Sequence, residues 1–180
     1  MICEEILPAA AKGGLARFCD VFCEEGAFTM EQSRKILLAG KALGLTPRIH
    51  ADEIVDTGGA ALAVEVGAIS ADHLLAASDE GIARMAAAGV TATLLPATAF
   101  YLRKRYAPAR KFLEAGCPVA LASDCNPGSS YTANSLMVLT LAVFGMEMMP
   151  EEALWAMTLN AAHALQLGDE VGSLSVGKRA

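Results

Sequence analysis

Imidazoles and carboxylates gather where apolar runs of this chain give way to polar loops. RIHADE (48–53) carries His50, Asp52 and Glu53, and SADHL (70–74) carries Asp72 and His73. ASDCNPGSS (122–130) carries Asp124, Asn126, Gly128, Ser129 and Ser130, and an earlier run closes on Glu24 and Glu25. Neutral imidazole and carboxylate are ligand types for Zn2+ or Fe2+. Hydrolysis at a single metal needs such ligands, an open coordination position and a base for the attacking water. Asp124 can bind a metal with one oxygen and take a proton with the other. His73, if unligated, can polarise a substrate carbonyl. The 126–130 loop offers N–H and hydroxyl groups to a polar substrate, although Asn, Pro, Gly and Ser also form plain turns.

For these residues to act together, the elements between them must deliver them to one face. The chain alternates apolar strands with helical stretches. Strands are expected at 15–25, 46–52, 68–74, 90–96 and 118–124. Helices are expected at 33–44, 57–67 (capped by Thr57), 78–89 (ending at Gly89), 105–116, 132–145 and 150–168. The strands read as continuous apolar runs, as buried parallel strands do. Five strand–helix units in succession fit either an open doubly wound sheet or a (β/α)8 barrel. No glycine-rich phosphate loop follows the first strand, so the barrel is the better fit. Both architectures carry function at the C-terminal strand ends, where the polar residues above fall. The fold class is therefore α/β, an incomplete (β/α)8 barrel of about five parallel units.

Composition narrows the function. The 180 residues suffice for one domain with a substantial core. Net charge is −6, and the one dense basic cluster, LRKRY (102–106), reads as a solvated helix start, so nucleic acid is not an expected partner. No apolar run reaches the ~18–20 residues of a membrane helix, and MICEEILPAA lacks a basic leader. Five Cys (3, 19, 23, 117 and 125), odd in number and irregular in spacing, read as free thiols in a cytoplasmic protein. His163, within NAAHALQL, reads as structural, and Trp155 with the nearby methionines as core or interface packing.

Taken together, HADE (50–53), SADHL (70–74), LLPATAFYLR (94–103), YAPARK (106–111) and ASDCNPGSS (122–130) resemble the imidazolonepropionases, a family of the metal-dependent amidohydrolase superfamily. DVFCEEGAF (20–28) and GSLSVGK (172–178) resemble it too. The resemblance implies hydrolysis of the cyclic amide of 4-imidazolone-5-propanoate to N-formimidoyl-glutamate, in histidine breakdown. It implies that His50 and Asp124 bind a single Zn or Fe ion. Glu53, Asn126, Gly128 and Ser129 are implied to contact the small-molecule substrate, with His73, Asp124 and Glu53 taking part in catalysis. Two-metal members of the superfamily carry a bridging lysine at the end of the fourth barrel strand; residues 14–29 contain no Lys, which agrees with one ion.

The chain departs from the family in lacking an H-x-H pair, which the family carries on its first barrel strand. The expectation is a C-terminal part of the barrel (1–172) followed by a stub of a β-rich second domain (173–180), as a fragment or a truncated reading frame. Unpaired sheet edges and apolar side chains built for a barrel interior lead to the expectation of a homo-oligomer. Three functions follow: an imidazolonepropionase-type hydrolase, a catalytically silent remnant that only folds or self-associates, and an amidohydrolase acting on another cyclic amide or as a deaminase.

Overall fold

The computed structural model describes residues 1–179. At its centre are five strands: β1 (Phe18–Cys23), β2 (Thr46–Ala51), β3 (Ser70–His73), β4 (Thr91–Leu94) and β5 (Val119–Leu121). Every neighbouring pair is parallel, and the spatial order is the chain order. A doubly wound sheet reverses its order at a switch point. An unreversed order is that of a barrel arc, so the incomplete barrel is present as an open five-stranded sheet.

Helices α2 (Met30–Ala42), α3 (Gly59–Val66) and α4 (Asp79–Ala88) return the chain between the first four strands. α5 (Pro96–Tyr101) and α6 (Ala109–Glu114) together join β4 to β5. α7 (Ser135–Gly145), α8 (Pro150–Trp155) and α9 (Ala161–Ala164) follow, the last two fused through a wide π turn at Ala156–Asn160. A π turn at Ile2–Ile6 and α1 (Leu7–Lys12) precede β1 and were not expected. Nor was α5. The basic run 102–106 follows that helix instead of starting the next one, because α6 begins only after Pro108. α2 starts earlier than expected, fixed by a reciprocal cap: Thr29 accepts from the Gln32 N–H at 3.2 Å, and the Gln32 carboxamide accepts from the Thr29 N–H at 3.0 Å. The 173–179 tail forms turns and no strand among the described residues.

One face of the sheet packs on the helices. Ile49, Leu62, Met85, Phe112 and Val119 are sealed there, with Cys19, Val21 and Cys23 from β1. The opposite face, which would line a barrel, corrects the expectation of apolar side chains. Apart from Phe18 and Phe22, it carries Asp20, Arg48, His50, Ser70, Asp72 and Thr93, tied by contacts such as Arg48 Nη2 to Asp72 Oδ2 at 3.0 Å. Exposed apolar side chains include Leu136 and Phe144 on α7, Leu154 and Trp155 on α8, and Met149 just before it. Trp155 is thus surface, whereas Met146 and Met148 are core. His163, read as structural, is exposed at the last turn of α9 with its ring over Gly168.

All five Cys are free. Cys117 is 3% exposed and donates to the Val90 carbonyl, and burial pushes its thiol up to about 11. At pH 8 only about one Cys117 in a thousand is then thiolate. A maleimide reagent at that pH is expected to label the exposed Cys125 at once and Cys117 only after unfolding, as mass spectrometry of the labelled peptides will show.

Candidate active site

Parallel strands in unreversed order present their C-terminal ends along one rim. His50 is the penultimate residue of β2, His73 closes β3, and Asp124 stands beyond the end of β5 at Leu121. β5 is shorter than the expected 118–124, so Asp124 comes from a loop. The backbone turns sharply here: Asp52, His73, Leu74 and Asp124 hold φ of 51°, 76°, 59° and 50°. Left-handed backbone at non-glycine residues costs of order 1–3 kcal/mol each and clusters at functional sites.

The rim brings the polar residues together. The His50 and His73 rings are 5.3 Å apart. His73 Nε2 lies 4.0 Å from Asp124 Oδ2, and His73 Nδ1 lies 3.6 Å from Glu53 Oε1. Both distances exceed a hydrogen bond. His73 Nδ1 is buried and has no partner among the described residues.

Other side chains hold these groups in place. His50 Nδ1 is 3.0 Å from the Asp20 carboxylate. Thr98 of α5, itself 2% exposed, donates its hydroxyl to Asp124 Oδ2 at 2.6 Å. Glu24 is 3% exposed and accepts from the Glu25 and Ile54 N–H groups, pinning the end of β1 to the loop that carries Glu53. Asp52 is fully buried and caps α3, taking N–H groups of Thr57, Gly59 and Ala60 and the Thr57 hydroxyl. Thr57 is therefore not the cap; Gly58 holds that position in left-handed backbone, and Asp52 supplies the acceptor from across the loop. Asn126 organises its own turn: its Oδ1 accepts from the Gly128 and Ser129 N–H groups at 2.8 Å, and its Nδ2 donates to the Asp124 carbonyl at 2.7 Å. Those two N–H groups are engaged within the loop.

The electrostatics follow from burial and from the excess of carboxylates. Burial, reinforced by the nearby His50, pushes His73 down to about 4, so it is a neutral imidazole at pH 7. Burial alone would lower His50, but the hydrogen bond and charge of Asp20 outweigh it and the net shift is upward. Glu53 is raised, first by burial and then by the negative charge of Asp124. A carboxyl group whose pKa is raised beside a histidine that stays neutral is the combination expected where protons are moved.

The donor chemistry fits one side of a metal site. The Asp20 contact occupies His50 Nδ1 and leaves Nε2 open; Thr98 takes one oxygen of Asp124 and leaves the other. A catalytic zinc ordinarily has three protein ligands, and His50 and Asp124, the pair that the family resemblance implies, would supply two. Sequence reasoning singled out His50, Glu53, His73, Asp124 and the 126–129 turn, and missed Asp20 and Thr98. The signal for Asp20 was a charged residue in mid-strand between Phe18 and Phe22 on one face of FCDVFC. No pattern marked Thr98.

An arc of parallel strands with imidazole and carboxylate at its C-terminal rim defines the class: part of a (β/α)8 barrel with polar residues where such barrels carry function. The amidohydrolase family profile matches residues 28–180, and the chain belongs to the amidohydrolase family. Within that family it is similar to the imidazolonepropionase of Desulfotalea psychrophila, 60% identical over 180 residues, a match covering all of this chain and 44% of that protein. The imidazolonepropionase of Geobacillus sp. strain WCH70 is 59% identical, with 100% and 42% covered. The chain thus spans less than half the length of these curated relatives. Among solved structures, an adenosine deaminase from Xanthomonas campestris with bound zinc superposes with a TM-score of 0.73 at 19% identity, over 89% of this chain and 41% of that one. A metal-dependent hydrolase from Pyrococcus furiosus gives 0.74 at 18% identity, over 98% and 47%. At such identities the likeness is one of fold.

Proposed function

We propose that this chain forms the His50–Asp124 side of an imidazolonepropionase-type active site, opening the cyclic amide of 4-imidazolone-5-propanoate to N-formimidoyl-glutamate. The observation that carries the reading is the approach of His50, His73, Glu53 and Asp124 at one rim, in a chain similar to imidazolonepropionases along its whole length. His50 and Asp124 hold a single ion, Zn2+ or Fe2+, which when bound supplies Lewis acidity at the ring carbonyl. Asp124 takes the proton of the attacking water. His73, neutral at pH 7, donates a hydrogen bond to the oxygen that gains charge as the carbonyl carbon becomes tetrahedral. Glu53 accepts a hydrogen bond from the ring N–H and orients the ring, and Asp124 passes the proton taken from water to the departing nitrogen as the C–N bond breaks. Asn126, Gly128 and Ser129 contact the substrate after exchanging their present bonds within the turn.

The two-ligand count favours a second reading for the chain on its own, folded but without turnover. Metal analysis and substrate separate the two. A stoichiometric ion lost in His50→Ala, with ultraviolet loss of the imidazolone ring, supports the hydrolase; a metal-free protein that leaves the ring intact supports the silent chain. Thr98→Val, nearly isosteric, deprives Asp124 of its donor and is expected to weaken metal binding about tenfold, read by chelator competition, with little change in melting temperature. The free edges of β1 and β5 and the exposed apolar side chains of α7 and α8 support a homo-oligomer, and a monomer at every concentration in sedimentation would refute that part.

A further inference from the structure

We propose that Asp20 is a positioning residue for the metal site: its carboxylate fixes the tautomer and orientation of His50, so that Nε2 is the nitrogen turned to the ion. This rests on the metal reading of His50 given above. The carboxylate approaches His50 Nδ1 at 3.0 Å, which requires the Nδ1–H tautomer if the imidazole is neutral. Unassisted imidazole prefers its proton on Nε2, which would put an N–H, and no lone pair, where the ligand atom belongs. A carboxylate behind the ring reverses that preference.

The strand register makes the arrangement. β1 and β2 pair Asp20 with Arg48 and Phe22 with His50, which sets Asp20 one step further back from the rim than the ring it contacts. The ring is also held from its sides. Phe22 meets it edge-on with centroids 6.2 Å apart, and His73 lies 5.3 Å away. Rotation of His50 about its side-chain bonds would break the Asp20 contact.

Asp72 is the rival partner, since ligand atoms of Asp20, His50 and Asp72 lie within 4.8 Å of one another. That trio could be taken for a cation site of its own. Arg48 argues against it. The guanidinium is 3.0 Å from Asp72 Oδ2, and Ser70 adds its hydroxyl at 3.3 Å to the other oxygen. Arg48 also rests over the Phe18 ring at 5.6 Å, so a cation already answers Asp72. Asp20 has no contact of this kind apart from His50 among the described residues. It is the carboxylate dedicated to the imidazole.

The purified protein, stripped with a chelator and retitrated with Zn2+ against a chromophoric competitor, tests this. Asp20→Ala and Asp20→Asn are expected to weaken Zn2+ binding by about 10- to 100-fold while the metal-free melting temperature stays at the parent value. Asp20→Glu is expected to recover most of the affinity. Long-range 15N–1H spectra of the metal-free protein are expected to give His50 as the Nδ1–H tautomer, shifting towards Nε2–H in Asp20→Ala, which a merely structural role would not produce. If His50→Ala weakens Zn2+ binding and neither Asp20 variant does, the inference falls and the metal reading stands. If His50→Ala has no effect, both fall. Two ions per chain, one of them lost in Asp20→Ala, would overturn it in favour of a cation site at the trio.

Discussion

Asp52→Ala is expected to lower the free energy of unfolding by roughly 3–4 kcal/mol, the largest stability loss from any polar substitution near the rim. The carboxylate is fully buried and accepts four hydrogen bonds, three from N–H groups and one from the Thr57 hydroxyl. Two of the N–H groups, on Gly59 and Ala60, open α3 and have no carbonyl of their own helix to turn to. Alanine leaves them buried and unpaired and removes a negative charge from the positive end of the helix. Asp52→Asn keeps one acceptor but sets an amide N–H2 against a backbone donor, so it falls between alanine and the parent. Asp56→Ala is the internal comparison. Asp56 is exposed and accepts only from Gly58, and its loss is expected to cost under about 1 kcal/mol. Urea unfolding of the three variants decides the matter; an Asp52→Ala loss no greater than that of Asp56→Ala would sink the account. The effect reaches the site as well. The Asp52 carbonyl accepts from the Ala76 N–H at 2.8 Å, and Glu53 is the next residue. A loosened Asp52 loop frees the carboxylate that faces His73.

The extent to which this was legible in the sequence follows from the range of the interactions involved. Strand positions were readable because buried parallel strands are written as local apolar runs, and α4 was readable at both ends because Ser78 and Gly89 are local cap signals. The order of the strands needed only the rule that successive parallel units in a barrel do not reverse. What depends on register was hidden. Asp20 reaches His50 across thirty residues of chain, and Thr98 reaches Asp124 across twenty-six. The same holds for Asp52, read as one polar residue in a candidate site: its acceptors are consumed five to eight residues downstream, in capping a helix. The left-handed backbone of His73 and Asp124 was hidden for another reason. Neither residue type requires it; the surrounding loops impose it. The polar inner face of the sheet was visible as alternation, clearest within β2, where Arg48 and His50 interrupt Pro47, Ile49 and Ala51. The run was apolar enough to pass for a strand buried on both sides.

Asp124→Asn is expected to reduce kcat for ring hydrolysis by about 1,000-fold or more in the protein that carries the proposed activity. The change is nearly isosteric, and the side-chain oxygen can still accept from Thr98, so the turn at 122–130 is preserved. What disappears is the negative charge facing the ion and the oxygen that takes the proton from water. Those are two functions of one carboxylate, so the loss exceeds that of a single hydrogen-bond donor. His73→Asn, which removes such a donor, is expected to cost about 100- to 1,000-fold. The imidazole and carboxylate are 4.0 Å apart and act on the same bond-making step, so the double variant is expected to lose much less than the product of the two. Steady-state kinetics with metal content measured on each sample separates the roles: Asp124→Asn is expected to lose both the ion and turnover, His73→Asn turnover alone. Retention of activity within tenfold by metal-loaded Asp124→Asn would remove this residue from the chemistry. The remaining base candidate would then be Glu53, whose burial and nearness to Asp124 already raise its pKa; replacing Asp124 removes one of those two causes and draws that pKa back towards the ordinary carboxylate range.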